Sequence, residues 1–342
     1  MNMAYFTERE RYELEIYLKE KYSIKKIAEK MNRHISTIYR EIKRGTVELL
    51  DTNLKPYKKY CADTAQNRYD ENKRNKGVPL KIGNDIELAN HIEKKIIKEK
   101  YSPQAVLYDI KNNNLNFKTT LCFKTIYNYI DKGIFLTLSN AHLPYRRNRK
   151  KRSHKPRICV RNAHKRSIEE IPEEAGNRAN YGFWEMDTVY SAQGIKDCLL
   201  VLTERMTRQE IIVPIPDRTA ESTISAINDL ERKYKDRFPS IFKTITIDNG
   251  VEFSDMAGME NSIINPGTKR TLCYYCHPYA SYERGSNENA NRMIRRFIPK
   301  GSDIGKYTKK QIQKIENWIN NYPRTIFGGM SSNQYRASMG IF

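Results

Sequence analysis

Three acidic residues carry the chemistry most plainly: Asp187 in Phe183-Trp184-Glu185-Met186-Asp187, Asp248 in Ile245-Thr246-Ile247-Asp248-Asn249-Gly250, and Glu288 in Arg284-Gly285-Ser286-Asn287-Glu288-Asn289. The first two close apolar, β-branched runs that read as buried strands, and the third falls in the first turn of a helix. Three carboxylates brought together repel one another and resist ionisation unless a cation lies between them. Hard oxygen ligands favour magnesium or manganese. Each piece alone has a plainer reading. Asp-Asn-Gly is a common tight turn, and Glu288 with Arg292, four residues on, can be a simple surface ion pair.

The pieces also occur in a combination. Phe-Trp-Glu-x-Asp, Asp-Asn-Gly-x-Glu-Phe (248–253), Arg-Gly-x-Asn-Glu-Asn (284–289) and Phe-x-Pro-Lys-Gly (297–301) follow one another along the chain. In this order and rough spacing they resemble the DDE transposases of the insertion-sequence family numbered thirty, over nearly the whole length. The resemblance implies a ribonuclease-H-like catalytic core in which Asp187, Asp248 and Glu288 are the catalytic, metal-binding residues. Two Mg²⁺ ions, with Mn²⁺ as the alternative, would serve phosphoryl transfer there. It further implies binding of the terminal inverted repeats of an insertion sequence, hydrolytic cleavage of the ends, and joining of the 3′-hydroxyls to target DNA by a homodimer or larger assembly. Glu185, Asn249, Glu252, Arg284, Asn287 and Asn289 then read as residues that orient the ligands or place the DNA. Where the family often has Asn-Gly after the glutamate, this chain has Asn291-Arg292, which adds charge and bulk. Two other readings remain: a DNA-binding regulator that keeps the fold without the chemistry, and a nuclease that cuts without joining.

The elements that must position the acids follow from pattern. Strands are expected at 183–190, 198–203, 210–216, 244–248 and 272–276, with a helix at 219–235, which makes a mixed α/β sheet. On the helix bearing Glu288, Ala290, Met293, Ile294 and Phe297 form an apolar face, while Arg292 and Arg295 share the glutamate's side as DNA-binding candidates.

Ahead of this core the chain reads as all-α. Thr7-Glu8-Arg9-Glu10 is a capping box, Ser23 caps a second helix, and a third begins near Ile35 and stops at Gly45. Three short helices in this arrangement are a helix-turn-helix pattern. Ile35, Ile38 and Ile42 are expected inward, and Ser36, Thr37, Arg40 and Arg44 outward, toward DNA. Thr37-Ile38-Tyr39-x-x-Ile42-x-x-Gly45 recurs as Thr125-Ile126-Tyr127-x-x-Ile130-x-x-Gly133. The second copy turns Phe123, Ile126 and Ile130 inward and Lys124, Thr125, Asn128 and Lys132 outward, and Ser102-Pro103 opens its preceding helix. The expected division is multidomain: helix-turn-helix modules at 1–50 and 51–135, a basic linker at 136–178, and the catalytic core at 179–342.

Charge agrees with a nucleic-acid partner. Lys and Arg number 61 against 40 Asp and Glu, a net charge of +21, the footprint of a polyanion binder. Between Asp131 and Glu169 no acid occurs, and the run Arg146-Arg147-Asn148-Arg149-Lys150-Lys151-Arg152 is expected to order on the phosphates of double-stranded DNA. No apolar stretch nears the roughly 18 residues of a membrane span and no signal pattern opens the chain, so a cytoplasmic, bacterial, nucleoid-associated protein is expected. Six scattered cysteines suit reduced thiols. Cys273-x-x-Cys276-His277 has zinc-ligand spacing, with His154, Cys159 and His164 as imaginable partners, but Cys273 and Cys276 are expected instead as buried strand residues.

Overall fold

Thr7 begins the first helix as its sequence encodes. The Glu10 N–H donates to Thr7 Oγ1 at 3.3 Å and the Thr7 N–H to Glu10 Oε2 at 2.7 Å. The computed structural model describes residues 5–74, 80–144, 166–176, 178–277 and 285–341. The chain divides into two compact units, Met1–Gly83 and Asn84–Phe342.

In the first unit, α1 (Glu8–Lys19), α2 (Ile24–Lys30) and α3 (Ile35–Gly45) are followed by a hairpin, β1 (Thr46–Leu50) and β2 (Pro56–Tyr60), and by α4 (Ala62–Arg74). Leu14, Ile27, Ile38, Tyr60 and Ala65 form its core. Gly45 is required where α3 meets β2, because a Cβ there would strike the Tyr60 ring at 2.7 Å and the Cys61 carbonyl at 2.8 Å. A buried Arg11–Glu41 ion pair at 2.7 Å crosses this core, and Arg11 also donates to the Phe6 carbonyl and to Gln66. β2 and α4 lie beyond the expected boundary at 50 and belong to this unit.

The second unit opens with α5 (Ile86–Ile97), α6 (Pro103–Asn112) and α7 (Phe123–Asp131). Ser102 caps α6 and Pro103 occupies its first turn, as the sequence indicates. These helices share a unit with the sheet rather than standing apart as 51–135. The Trp318 Nε1–H donates to the Glu99 carbonyl at 2.9 Å, the Tyr322 hydroxyl to Ser102 Oγ at 2.9 Å, and the Asn112 side chain to the Gly329 carbonyl at 2.8 Å. Tyr101 packs against both Trp318 and Tyr322.

After the short α8 (Glu173–Gly176) come β3 (Phe183–Tyr190), β4 (Cys198–Glu204), β5 (Glu210–Ile215), α9 (Ala220–Tyr234), α10 (Phe238–Ile241), β6 (Thr244–Ile247), α11 (Met256–Glu260), β7 (Leu272–Tyr275), α12 (Gly285–Ile294), α13 (Lys309–Asn321) and α14 (Ser332–Ser338). The five strands form one mixed sheet in the order β5-β4-β3-β6-β7. The β3–β4 and β4–β5 pairs are antiparallel, and β3–β6 and β6–β7 are parallel. Alternation splits the faces. Trp184, Met186, Leu200, Leu202, Ile245, Ile247 and Cys273 join Ala226, Ile227 and Leu230 of α9 in one core. Cys273 and Cys276 are both buried, and burial pushes the Cys273 thiol up to about 12. The edge strand β5 is covered by α13, whose Glu316 and Asn320 accept from the Ile212 and Glu210 N–H groups. Among the described residues no helix is long and apolar enough to cross a membrane.

Candidate active site

Parallel pairing of β3 with β6 sets Glu185 against Thr246. The pairing stops there: Asp187 lies two residues further along β3, and Asp248 is the first residue past the end of β6. Glu185 and Asp187 share one face of β3, and α12 lies across that face. The Asn287 backbone N–H in the first turn of α12 donates to Glu185 Oε2 at 3.2 Å, and the Asn291 side-chain amide donates to Asp187 Oδ2 at 2.8 Å. Glu185 is fully buried, and its carboxylate accepts from the first turn of that helix, where negative charge is favoured.

Glu288, one residue past Asn287, is on the exposed flank of α12 and pairs with Arg292 at 3.1 Å. It does not join the two aspartates: among the described residues no group of three or more His, Cys, Asp or Glu side chains is close enough to hold a metal ion. Asp187 lies inside β3, paired with Val201 of β4, and does not close its strand as the sequence pattern suggests; what suits a hard cation is its carboxylate and that of Asp248. Asp187 and Asp248 are half-buried carboxylates, and the neighbouring Asn291 Oδ1 is buried without a hydrogen-bond partner.

A polar layer supports this centre. Arg205 approaches Glu185 at 3.3 Å, and Arg208 bonds Ser286 beside the buried Asn287. The Thr203 hydroxyl donates to Glu210, whose carboxyl burial pushes up to about 8. On the loop after β6, the Gly250 N–H donates to Asp248 Oδ1 at 2.8 Å and the Asn249 side chain to the Cys276 carbonyl at 3.0 Å, which ties the loop to the end of β7. Glu252 is buried against Thr188 at 2.7 Å and Arg218 at 2.9 Å. Burial opposes its charge, but the Arg218 hydrogen bond leads the contacts that hold its carboxyl below the ordinary value. Arg295 is half-buried and donates to the Tyr190 carbonyl at 2.8 Å. Asn289 is exposed, and Arg284 lies outside the described residues. Asn291, Arg205, Arg208 and Arg218 were not singled out by sequence. Only Asn291 carried a signal, as part of the departure from the family pattern.

On α3 and α7 the apolar stripes are partly displaced from the expected pattern. Ile38, Ile126 and Ile130 are buried, but Ile35 and Phe123 are 38% and 39% exposed in the first turns of α3 and α7. Arg40, Lys124, Asn128 and Lys132 are exposed as expected, whereas Ser36, Thr37 and Thr125 are half-buried. Arg44 is bound to Glu41 and over the Tyr69 ring, so it braces the unit instead of facing outward freely. Tyr39 and Lys43 are exposed beside Arg40. Arg146, Arg147, Arg149, Lys150, Lys151 and Arg152 lie outside the described residues, as do His154, Cys159 and His164.

Comparison with known proteins agrees with both halves. Residues 5–45 match a family described as a helix-turn-helix domain. The chain is 31% identical to a probable transposase for the insertion-like sequence element IS1161 of Streptococcus salivarius, over 97% of this chain and 95% of that protein. It is 30% identical to the transposase for insertion sequence element IS4351 of Bacteroides fragilis, over 96% and 94% respectively. It is 28% identical to transposase InsI for insertion sequence element IS30A of Escherichia coli, over 94% and 80%. With that extent of likeness, and a helix-turn-helix ahead of a mixed α/β sheet, the chain belongs to the family of insertion-sequence transposases that includes those of IS30.

Proposed function

We propose that this transposase cuts and joins DNA by metal-dependent phosphoryl transfer at the edge of a ribonuclease-H-like sheet, with Asp187, Asp248 and Glu288 as the reacting centre. The observation that supports the reading is the parallel pairing of β3 with β6, which runs the segments bearing Asp187 and Asp248 in the same direction, with Asn291 of α12 bonded to Asp187. The strand order, three antiparallel strands continued by two parallel ones, supports the assigned core. Asp187 and Asp248 would hold Mg²⁺ or Mn²⁺, joined by Glu288 once its side chain leaves Arg292. When bound, the metal would acidify the attacking water or 3′-hydroxyl and offset charge on the leaving oxygen. The chain's own residues set the geometry: Asn291 fixes the Asp187 carboxylate, Gly250 and Asn249 fix the Asp248 loop, and Glu185 fixes the helix that bears Glu288.

Two helix-turn-helix modules in one chain suit a long recognition site such as a terminal inverted repeat, since binding by one raises the effective concentration of the other. Arg40, Lys124, Asn128 and Lys132 are the exposed side chains for that contact. A homodimer or larger assembly on double-stranded DNA, nucleoid-associated in a bacterial cytoplasm, completes the reading.

The test is transposition of DNA bearing the native flanking repeats, in Mg²⁺ and in Mn²⁺, by wild type and by Asp187→Asn, Asp248→Asn and Glu288→Gln. The expected result is joined product from wild type alone, with repeat binding kept by all four. Cleavage without joining would leave a nuclease. Specific binding by all four with no cleavage by any would replace the enzyme with a DNA-binding regulator.

A further inference from the structure

We propose that Arg218 is a phosphate-binding residue of this centre, held rigidly at the strand-end edge of the sheet to take one phosphodiester of the DNA strand being cut. The proposal rests on reading Asp187 and Asp248 as the reacting pair.

Position comes from topology. β5 is antiparallel to β4, which is antiparallel to β3, so β5 runs the same way as β3 and β6. Their C-terminal ends therefore share one edge, and Arg218 sits just past β5, Tyr190 ends β3 and Asp248 follows β6. Gly250 brings the loop close: a Cβ there would collide with Asp248 Oδ1, at 2.8 Å, and with Glu252 Oε2. The Asp248 and Glu252 carboxylates thus flank one point of backbone, and Glu252 is the anchor of Arg218.

The arginine is held as a surface arginine rarely is. Its Nε–H donates to Glu252 Oε1 at 2.9 Å, and that glutamate is 1% exposed, fixed in turn by the Thr188 and Tyr190 hydroxyls. The guanidinium lies 4.6 Å from the centroid of the Tyr190 ring. Yet its side chain is 45% exposed, and the four N–H groups on the outer edge have no acceptor among the described residues. The Glu252 hydrogen bond first, with the Asp248 charge among the lesser causes, strengthens the hold on its proton. A planar fork with its outer edge open matches two oxygens of one phosphate. A guanidinium that served packing alone would have no reason to keep that edge in solvent near Asp248, whose proposed substrate is an anion. Because Glu252 and Tyr190 fix the arginine beforehand, ordering it on DNA costs little, and its charge can act on the phosphorane as negative charge develops.

The experiment uses full-length protein and repeat-end duplexes in which phosphates around the scissile bond are replaced one at a time by uncharged methylphosphonate. Arg218→Gln should slow single-turnover cleavage in Mg²⁺ roughly 10²-fold at a temperature where circular dichroism shows the variant fully folded, with Arg218→Lys recovering part of the rate. One methylphosphonate that slows wild type should add nothing in Arg218→Gln. At that same position, binding without metal should weaken about 10-fold in wild type and be unchanged in the variant, the size of one charged contact. Losses that multiply at every position, or an Arg218→Gln protein that cuts like wild type, would overturn the assignment. A wild type that cuts no duplex in Mg²⁺ or Mn²⁺ would instead remove the proposed centre, and the assignment with it.

Discussion

Replacing Glu185 with alanine should damage both the stability and the activity of the second unit, because one buried carboxylate serves two partners there. It accepts the Asn287 N–H at the start of α12 and faces Arg205 at 3.3 Å, with the arginine side chain only 11% exposed. Breaking a buried pair by removing one member costs about 3–5 kcal/mol, since the other charge stays desolvated. At roughly 2–4 °C per kcal/mol for a unit of this size, a loss of ~3 kcal/mol lowers the midpoint of thermal unfolding by roughly 6–12 °C. Glu185→Gln keeps an acceptor for Asn287 but leaves Arg205 unpaired, so about half that shift is expected. Both tryptophans, Trp184 and Trp318, belong to the second unit, so intrinsic fluorescence reports its unfolding without interference from the first. Activity should fall more steeply than stability, because tilting α12 by an ångström misplaces Glu288 and Asn291 and costs ~10²-fold in rate. A Glu185→Ala protein that melts with wild type and cleaves at its rate would refute the idea that the sheet fixes this helix.

Glu210 offers a test by pH. Burial raises its carboxyl from 4.5 to about 8, so between those values the unfolded chain has released a proton that the fold retains. This contribution to stability is complete below about pH 4.5 and is lost as pH rises through 8. Glu210→Gln should remove that decline, and its unfolding temperature relative to wild type should climb between pH 5 and 8, by the equivalent of about 5 kcal/mol at most. In the first unit, Arg11→Met should strip hydrogen-exchange protection from α1 and α3 at a cost of about 3–5 kcal/mol, while Arg11→Met with Glu41→Leu should restore most of it. On α3, Arg40→Gln should lower repeat affinity with folding intact and reduce the salt slope by about 0.9 if the contact is a phosphate. Arg44→Gln should first loosen the unit, because Arg44 holds Glu41.

The strands were legible because they are short, largely apolar runs buried on both faces, so 183–190 and 198–203 could be placed nearly to the residue. The apolar face of α12 was legible for the same reason, through Ala290, Met293 and Ile294, although the helix ends before Phe297. Local pattern misled at helix starts. Ile35 and Phe123 have the right period but occupy first turns that overhang the core. It was silent where a role comes from a distant partner. Nothing near Arg218 foretells Glu252, 34 residues away, and nothing near Asn291 foretells Asp187, 104 residues away. The reading of 1–50 as a complete module stopped short because the hairpin and α4 close its core through Tyr60 and Ala65, residues set among lysines and polar neighbours.

The way α12 is held also decides how Glu288 can act. Glu185 and Asp187 stand about 6.6 Å apart along β3, and Asn287 and Asn291 about 6 Å apart along α12. The near match lets both pairs bond at once, which fixes the helix in rotation and in slide. Glu288 is therefore confined to one flank and can approach the aspartates only by changing its own rotamers. What opposes that change is the exposed pair with Arg292, and surface pairs four residues apart on a helix contribute about 0.3–0.5 kcal/mol. Freeing the carboxylate is thus cheap beside any gain from a shared cation. Arg292→Gln should leave cleavage within a few-fold of wild type and weaken DNA binding modestly through the lost charge. A fall in cleavage beyond ~100-fold with Kd unchanged would mean that Arg292 holds Glu288 for the reaction and not merely between reactions.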